Sequence, residues 1–287
     1  MFESLFSIFR YAFVLHALMA AVLASISCGI VGTYIVARRK VFISGGITHA
    51  SFGGIGIGYY MGINPVLGAA VFSILSAVGI EYISKKTDVR EDSAIGILWS
   101  LGMAVGIIFI FITPGYAPNL MMFLFGSILT VTWLDIYLMM GLCLIIVAFF
   151  LVYFRLILYI SFDEEYARAH RAPVNFINYL LMGIIALTIV LHIRVVGIIL
   201  VISFLTIPQS TANLYSRDFR KIIFLSILIG LIGSVAGLIM SYSLDIPSGA
   251  SIIFSFVILF ILAKAQCYLL QKRKMRRVLS ADQHVKF

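Results

Sequence analysis

The sequence predicts an all-α integral membrane protein with about nine transmembrane helices, because a helix of roughly 20 residues is needed to cross a bilayer. Of the 287 residues, 62% are hydrophobic and only 11% are charged, and the mean hydropathy is +1.10. A water-soluble protein is about half apolar and about a quarter charged. The excess apolar surface cannot all be buried in one core and must therefore face lipid.

The apolar residues fall into runs that are long enough to span a membrane as helices. The predicted spans are Tyr11–Ala37, Phe42–Met61, Pro65–Ser84, Ala94–Thr113, Leu134–Phe154, Phe176–Ile193, Val195–Leu214, Ile222–Leu244 and Ile252–Leu270. No polar segment between them is long enough for a second domain, so residues 1–287 are expected to form a single transmembrane domain. The chain has no P-loop motif, so any ATP hydrolysis by a P-loop mechanism is expected in a separate protein.

Three segments lie outside these spans. Leu120–Val131 is apolar but too short to cross, and it predicts a short re-entrant or interfacial helix at the outer face. Residues 1–10 contain several phenylalanines and predict an interfacial N-terminal segment. Residues 271–287 predict a basic cytoplasmic tail.

Most of the 21 Lys and Arg residues lie at alternate boundaries between the spans. The basic clusters are Arg38–Lys40, Lys85–Arg90, Arg155–Arg171, Arg217–Lys221 and Lys272–Arg277. Such clusters stay on the cytoplasmic side of a membrane, so the N-terminus is expected outside and the C-terminus in the cytoplasm. The net charge of +9 is therefore attributed to orientation in the lipid membrane, and no nucleic-acid partner is expected.

The second predicted span is rich in glycine and contains His49. Gly54 and Gly58 form a G-x-x-x-G pair, which lets helices approach closely in a membrane. Gly45, His49 and Gly53 recur at four-residue spacing and share one helix face. His49 therefore either bonds a neighbouring helix or is an imidazole ligand for a transition metal that passes through the protein.

Short motifs occur in a fixed order along nearly the whole chain. They are Gly32–Arg39, Gly46–Gly54, Leu124–Leu129, Phe162–Arg168, Val195–Val201, Ile207–Ala212 and Ser241–Ala250. In order and spacing they resemble the permease (membrane) subunits of the bacterial zinc/manganese/iron ABC importer family. The resemblance implies an ABC importer permease bundle in the bacterial cytoplasmic (inner) membrane, which acts as a transport subunit and not as an enzyme.

The resemblance also implies a cargo and partners. The cargo would be a divalent transition-metal ion, namely zinc, manganese or iron, with His49 as its ligand and no cofactor bound by this chain. The partners would be a second copy of the chain in a homodimer, an ABC ATPase subunit and an external metal-binding protein.

Two polar loops are candidates for contacts with these partners. An ATPase-coupling loop is predicted on the cytoplasmic side, although an ordinary anchor loop would have a similar composition; its residues are Gln209, Asn213, Arg217, Asp218 and Arg220. Asp245 lies in the outer loop beside Pro247, and it is expected to cap a turn. An outer-face docking role is the alternative for Asp245, with His192 and Arg194 as conceivable side-chain partners.

One position departs from the family pattern and leaves other functions open. The family usually has Asp four residues before the histidine, where this chain has Gly45. A single imidazole is a poor metal site unless water, the partner subunit or another span completes the shell. The alternatives are an ABC permease for a metal chelate of the siderophore or cobalamin type and a secondary transporter, which would bind substrate near mid-bilayer.

Overall fold

The computed structural model describes residues 12–114, 126 and 128–284, and these are mostly helical. The helices are α1 Ala12–Ala37, α2 Val41–Tyr60, α3 Pro65–Lys86, α4 Glu91–Ile112, α5 Trp133–Phe162, α6 Glu164–Ala169, α7 Val174–Val196, α8 Ile198–Phe204, α9 Ile207–Tyr215, α10 Phe219–Leu244 and α11 Ser248–His284. Within the described residues, 9 helices are long and apolar enough to cross a membrane, with α8 and α9 counted together as Ile198–Tyr215. The number of spans predicted from the sequence is confirmed.

The outside of the bundle is apolar. Phe111 in α4 is 88% exposed, and Leu151 and Val152 in α5 are 74% and 75% exposed. Exposed apolar surface of this extent is unfavourable in water but suits contact with lipid tails. The chain is therefore a multi-pass membrane protein.

Polar residues set the helix ends. Thr132 and Asp135 form a reciprocal capping box at the start of α5, in which each side chain accepts a hydrogen bond from the other residue's backbone N–H. Asn64 caps α3, and Pro65 occupies its first turn, where a missing N–H costs nothing. Gly197 separates α7 from α8 with φ of 80°, a conformation that favours glycine.

Helix α2 is packed between α3 and α4 at backbone distance. A Cβ added at Gly54 would overlap the backbone of Gly68 in α3, and one at Gly56 would lie 2.5 Å from the carbonyl oxygen of Gly106 in α4. These positions tolerate only glycine without a shift of the neighbouring helix. The close approach that the G-x-x-x-G pattern predicts is confirmed, and it holds His49 in a tightly packed element.

Helix α1 packs against both α5 and α10. Its alanine residues Ala17, Ala20, Ala21 and Ala24 are all 0% exposed. Small side chains at these positions let the neighbouring helices approach closely. As a result, α1 lies in the interior of the bundle over much of its length.

The seventh predicted span is not one continuous helix. It is divided between α8 and α9 around Leu205 and Thr206. Pro208 has no N–H to bond the carbonyl of Phe204, so a helix cannot continue through it undisturbed. The side-chain amide of Gln209 instead donates to the Phe204 carbonyl oxygen at 3.0 Å and to the Cys28 carbonyl oxygen at 2.8 Å. The carbonyl group that the proline leaves without its helical donor thereby gains a hydrogen bond inside the protein.

Two of the predicted special segments lie wholly or mostly outside the described residues. Residues 1–10 are not described, and of Leu120–Val131 only Gly126 and residues 128–131 are. The described end of that segment is a single 3-10 turn, Ile128–Thr130, which precedes α5. At the other end of the chain, α11 continues into the predicted tail as far as His284.

Candidate functional site

The imidazole of His49 is stacked face to face on the indole of Trp99 in α4. The ring centroids are 4.3 Å apart and the planes differ by 4°. His49 is half-buried, about 12 Å along α2 from its start at Val41 at 1.5 Å per residue. Its Nδ1 is buried and has no hydrogen-bond partner among the described residues. The stacking fixes the plane of the ring while one nitrogen remains unused.

Gly45 lies one turn before His49 and borders the same tryptophan. A Cβ at Gly45 would lie 3.7 Å from Cζ3 of Trp99, which is an ordinary van der Waals contact. The position therefore has room for the first atom of a side chain.

The described residues contain no group of three or more His, Cys, Asp or Glu side chains that could hold a metal ion. Cys28 and Cys143 are buried and unpaired, and Cys267 is partly buried. Within the described residues, His49 therefore belongs to no cluster of three such side chains.

His192 and Arg194 have partners other than Asp245. His192 is fully buried, with Nδ1 at 2.6 Å from the carbonyl oxygen of Thr188 and Nε2 at 2.9 Å from Oγ of Ser27. A carbonyl oxygen can only accept, so Nδ1 carries the hydrogen that it donates to Thr188. The hydrogen bond between His192 and Ser27 connects α7 to α1, so His192 has a structural role.

Arg194 forms an ion pair with Asp135, with Nε and Oδ1 3.0 Å apart. The carboxylate of Asp135 is nearly buried, and it also belongs to the cap of α5. The pair therefore joins the C-terminal end of α7 to the N-terminal end of α5. The sequence gives only a weak signal of this contact, namely one charged residue beside each of two apolar runs.

Asp245 occupies the turn between α10 and α11. It is the C-cap residue of α10 in the left-handed conformation, with φ of 52°, and its N–H donates to the Ser241 carbonyl oxygen. The hydroxyl of Ser241 donates to the carbonyl oxygen of Ile246 across the same turn. Asp245 is exposed and borders an otherwise mainly apolar cavity of about 510 Å³ between α1 and the α10–α11 turn.

The predicted coupling loop is the turn between α9 and α10, and its residues have different roles. Asn213, Arg217 and Arg220 are exposed. Asp218 caps α10, because its Oδ1 accepts from the N–H groups of Arg220 and Lys221 at 2.8 and 3.2 Å. Gln209, by contrast, is 0% exposed. Sequence reasoning placed Gln209 on the contact surface, but its amide is used within the protein at the break before α9.

A cluster of ion pairs lies between the ends of α1 and α3 and the starts of α2, α4 and α6. The Nζ atom of Lys40 lies 2.7 Å from a carboxylate oxygen of Glu91 and 3.6 Å from one of Glu81. The Nζ atom of Lys85 lies 2.5 Å from the other carboxylate oxygen of Glu81 and 3.7 Å from one of Glu164. The side chain of Glu81 is only 1% exposed. Sequence reasoning missed this cluster, although an acidic residue inside an apolar run with lysine four residues later was a visible signal.

Glu164 connects this cluster to the short surface helix α6. It accepts hydrogen bonds of 2.7 Å from both Arg38 and Arg168. Burial alone would raise the pKa of Glu164, but these hydrogen bonds and the nearby Lys85 lower the pKa to about 2. The carboxylate is therefore ionised at every physiological pH.

The fold and these features define a class of protein: a polytopic helical permease whose described residues form a close-packed bundle around glycine-rich α2. The chain belongs to the ABC 3 transport family, whose model matches residues 10–266. This match confirms the family that the sequence motifs indicate.

Individual relatives agree with this assignment. The manganese transport system membrane protein MntC of Halalkalibacterium halodurans is 35% identical over 253 residues, which is 88% of this chain and 87% of that protein. The manganese import system permease protein ScaB of Streptococcus gordonii is 34% identical over 270 residues, which is 93% of this chain and 96% of that protein. Among solved structures, PsaBC from Streptococcus pneumoniae in complex with Fab is similar with a TM-score of 0.80 and 34% identity, covering 91% of this chain and 94% of that chain.

Proposed function

We propose that this chain is the membrane-spanning permease of an ATP-driven importer for a divalent transition-metal ion, with manganese as the first cargo to test. The family match carries the proposal. The relatives named for manganese transport put manganese ahead of zinc and iron. The metal is cargo in this proposal and not a resident cofactor.

His49 is the proposed ligand on the ion path. Its ring plane is fixed by Trp99, and its Nδ1 has no partner in the described part of the chain. An imidazole nitrogen is a good ligand for a transition metal, and an ionisable group within a membrane span commonly serves function. In a homodimer with the path on the two-fold axis, the second copy would supply a second His49, so that two imidazoles and water complete the shell.

The proposed orientation places the N-terminus outside and the C-terminus in the cytoplasm of a bacterial cell. It rests on the basic residues near the ion-pair cluster and the α9–α10 turn, because basic residues stay on the cytoplasmic side. The ring centroids of Phe162 and Phe219 are 6.4 Å apart, so the start of α6 and the α9–α10 turn lie at the same end of the bundle.

ATPase subunits and an external metal-binding protein are the proposed partners. Asn213, Arg217 and Arg220 are exposed at the cytoplasmic end and are proposed to contact the ATPase, while Asp218 keeps the start of α10 in place. Asp245 is proposed to contact the binding protein, since it is exposed at the opposite end beside an open cavity. The energetic requirement on transport is that the outward-open and inward-open states bind the ion with different affinities.

The test is metal uptake by vesicles that contain the chain together with its ATPase. His49→Ala should abolish manganese uptake and leave assembly with the ATPase intact. His170→Ala is the matched control, because His170 is an exposed histidine whose Nδ1 bonds the Tyr166 carbonyl oxygen. Unchanged uptake in His49→Ala would reduce this residue to a packing role.

Gly45 is the observation that favours a second candidate, a permease for a metal chelate, because the second ligand on the helix is missing. Measuring which cargo stimulates ATP hydrolysis separates the two. Stimulation by a chelate together with none by manganese, zinc or iron would overturn the metal-ion proposal. A secondary transporter would take up its substrate without ATP.

A further inference from the structure

A groove lies on the membrane-facing side of the bundle between α5 and α10. Its volume is about 640 Å³, and it is open along one side. Both helices pack on α1, which closes the back of the groove with Ile30. The walls are apolar and include Val147, Phe150 and Ile223. Such walls suit a hydrocarbon chain.

Two arginines, Arg155 of α5 and Arg220 of α10, lie at one end of this groove. The Cζ atom of Arg220 lies 4.8 Å from the centroid of the Phe154 ring, so the aromatic face supports the guanidinium. Neither arginine has an ion-pair partner among the side chains that the structure describes. The carboxylate of Asp218 is nearby in sequence, but its Oδ1 accepts the backbone N–H of Arg220 and of Lys221.

The length of α5 allows the arginines to reach the depth of the lipid headgroups. Helix α5 has 30 residues, which is about 45 Å and exceeds the hydrocarbon core of about 30 Å. Arg155 precedes the end of α5 at Phe162 by about 10 Å, so its guanidinium can lie at the edge of the core. Val147 lies about 12 Å further into the membrane on the same helix. The groove is thus apolar within the bilayer and cationic at its mouth.

We propose that this groove is a binding site for one anionic phospholipid, with an acyl chain against the α5 and α10 walls and the phosphate between Arg155 and Arg220. Guanidinium groups bind phosphate oxygens in a bidentate manner, and basic pockets between membrane helices are suited to anionic headgroups. The site is in the cytoplasmic leaflet, a placement that rests on the proposed orientation. The lipid joins α5 to α10, which approach each other at this end through Phe154 and Phe219.

Charge complementarity favours lipid over protein as the occupant. A second copy of the chain would bring the same two arginines to an isologous contact, and like charges would then face each other in a medium of low dielectric constant. An anionic lipid neutralises them and shields the apolar walls at once. Leu151 and Val152 on the rim are 74% and 75% exposed, as expected for residues beside lipid.

The test is lipid binding to the delipidated full-length chain in detergent, followed by native mass spectrometry without metal or ATP. Phosphatidylglycerol should bind about thirtyfold more weakly to the Arg155→Gln/Arg220→Gln variant than to the parent chain, which corresponds to about 1 kcal/mol for each cation lost. Phosphatidylcholine should bind weakly to both. The Lys86→Gln/Lys272→Gln variant is the control, because it loses two exposed charges away from the groove.

A second variant addresses the apolar walls and guards against misfolding of the first. Ile223→Trp fills the groove while both arginines remain, and it should also lose phosphatidylglycerol. Equal binding of the two lipids by the parent chain, or an equal loss in the lysine control, would overturn the proposal. A disulfide between two Val152→Cys chains would show that a second copy covers this face and would overturn it as well. None of these outcomes depends on metal transport, so the proposed function is tested separately.

Discussion

Removing the carboxylate of Glu81 should destabilise the protein, because this residue is buried between two lysines. Glu81→Gln leaves Lys40 and Lys85 without a shared counter-ion, and removing one partner from a buried pair typically costs about 3–5 kcal/mol. Lys40 retains Glu91 at 2.7 Å and Lys85 retains Glu164 at 3.7 Å. We therefore expect a loss of about 2–3 kcal/mol, below the typical range.

The assay is thermal unfolding of the purified chain in detergent, followed by circular dichroism. A loss of this size should lower the apparent unfolding midpoint by roughly 4–10 °C. Glu165→Gln is the control, because Glu165 is exposed on the neighbouring helix and should change stability by less than about 0.5 kcal/mol. Adding Lys85→Met to Glu81→Gln should recover part of the loss, since it removes a cation whose nearest counter-ion has been lost and which keeps only Glu164 at 3.7 Å. An unchanged midpoint for Glu81→Gln would refute the reasoning.

Three further predictions concern α2 and the surface helix. Gly45→Asp should fold, because the position has room for a Cβ, and it should lower the manganese concentration for half-maximal uptake by adding an oxygen ligand; unchanged uptake kinetics would argue against a site at this helix face. Gly54→Leu should abolish folded expression, because its Cβ would overlap the Gly68 backbone. Gly141→Ala should be tolerated, because a Cβ there meets nothing within 4 Å. Size-exclusion chromatography in detergent measures the yield of folded protein for both variants. The pKa of Glu164 is lowered from 4.5 to about 2, so its ionised form stabilises the fold fully above about pH 4.5 and progressively less down to about pH 2; acid unfolding of Glu164→Gln should lack this contribution.

The sequence was sufficient for the number of membrane spans because hydropathy acts over whole segments. A run of some 20 apolar residues has few alternatives in a bilayer, so the spans follow from composition and length alone. The glycines of α2 were equally informative about helix packing, because a glycine has no side chain and so allows a neighbouring helix to approach closely. Gly54 and Gly68 then meet across α2 and α3.

Side-chain partners were less predictable because they depend on how helices that are distant in sequence are brought together. The sequence places Asp245 and Arg194 at the same outer level of the membrane, yet Arg194 forms its ion pair with Asp135. Gln209 looked like a surface residue because it follows a proline and precedes polar positions. Its burial results from the unsatisfied carbonyl that the proline leaves behind, which is a consequence of three-dimensional structure.

That amide has a consequence for which substitutions the chain can accept. In a membrane helix, a carbonyl freed by proline must find a donor, and here the side-chain amide of Gln209 supplies it. The amide fits only because position 32 is glycine, since a Cβ there would lie 2.5 Å from Nε2 of Gln209. Residues 32 and 209 are therefore jointly constrained: a side chain larger than glycine at position 32 would displace the Gln209 amide, and the carbonyl that Pro208 leaves free would need another donor.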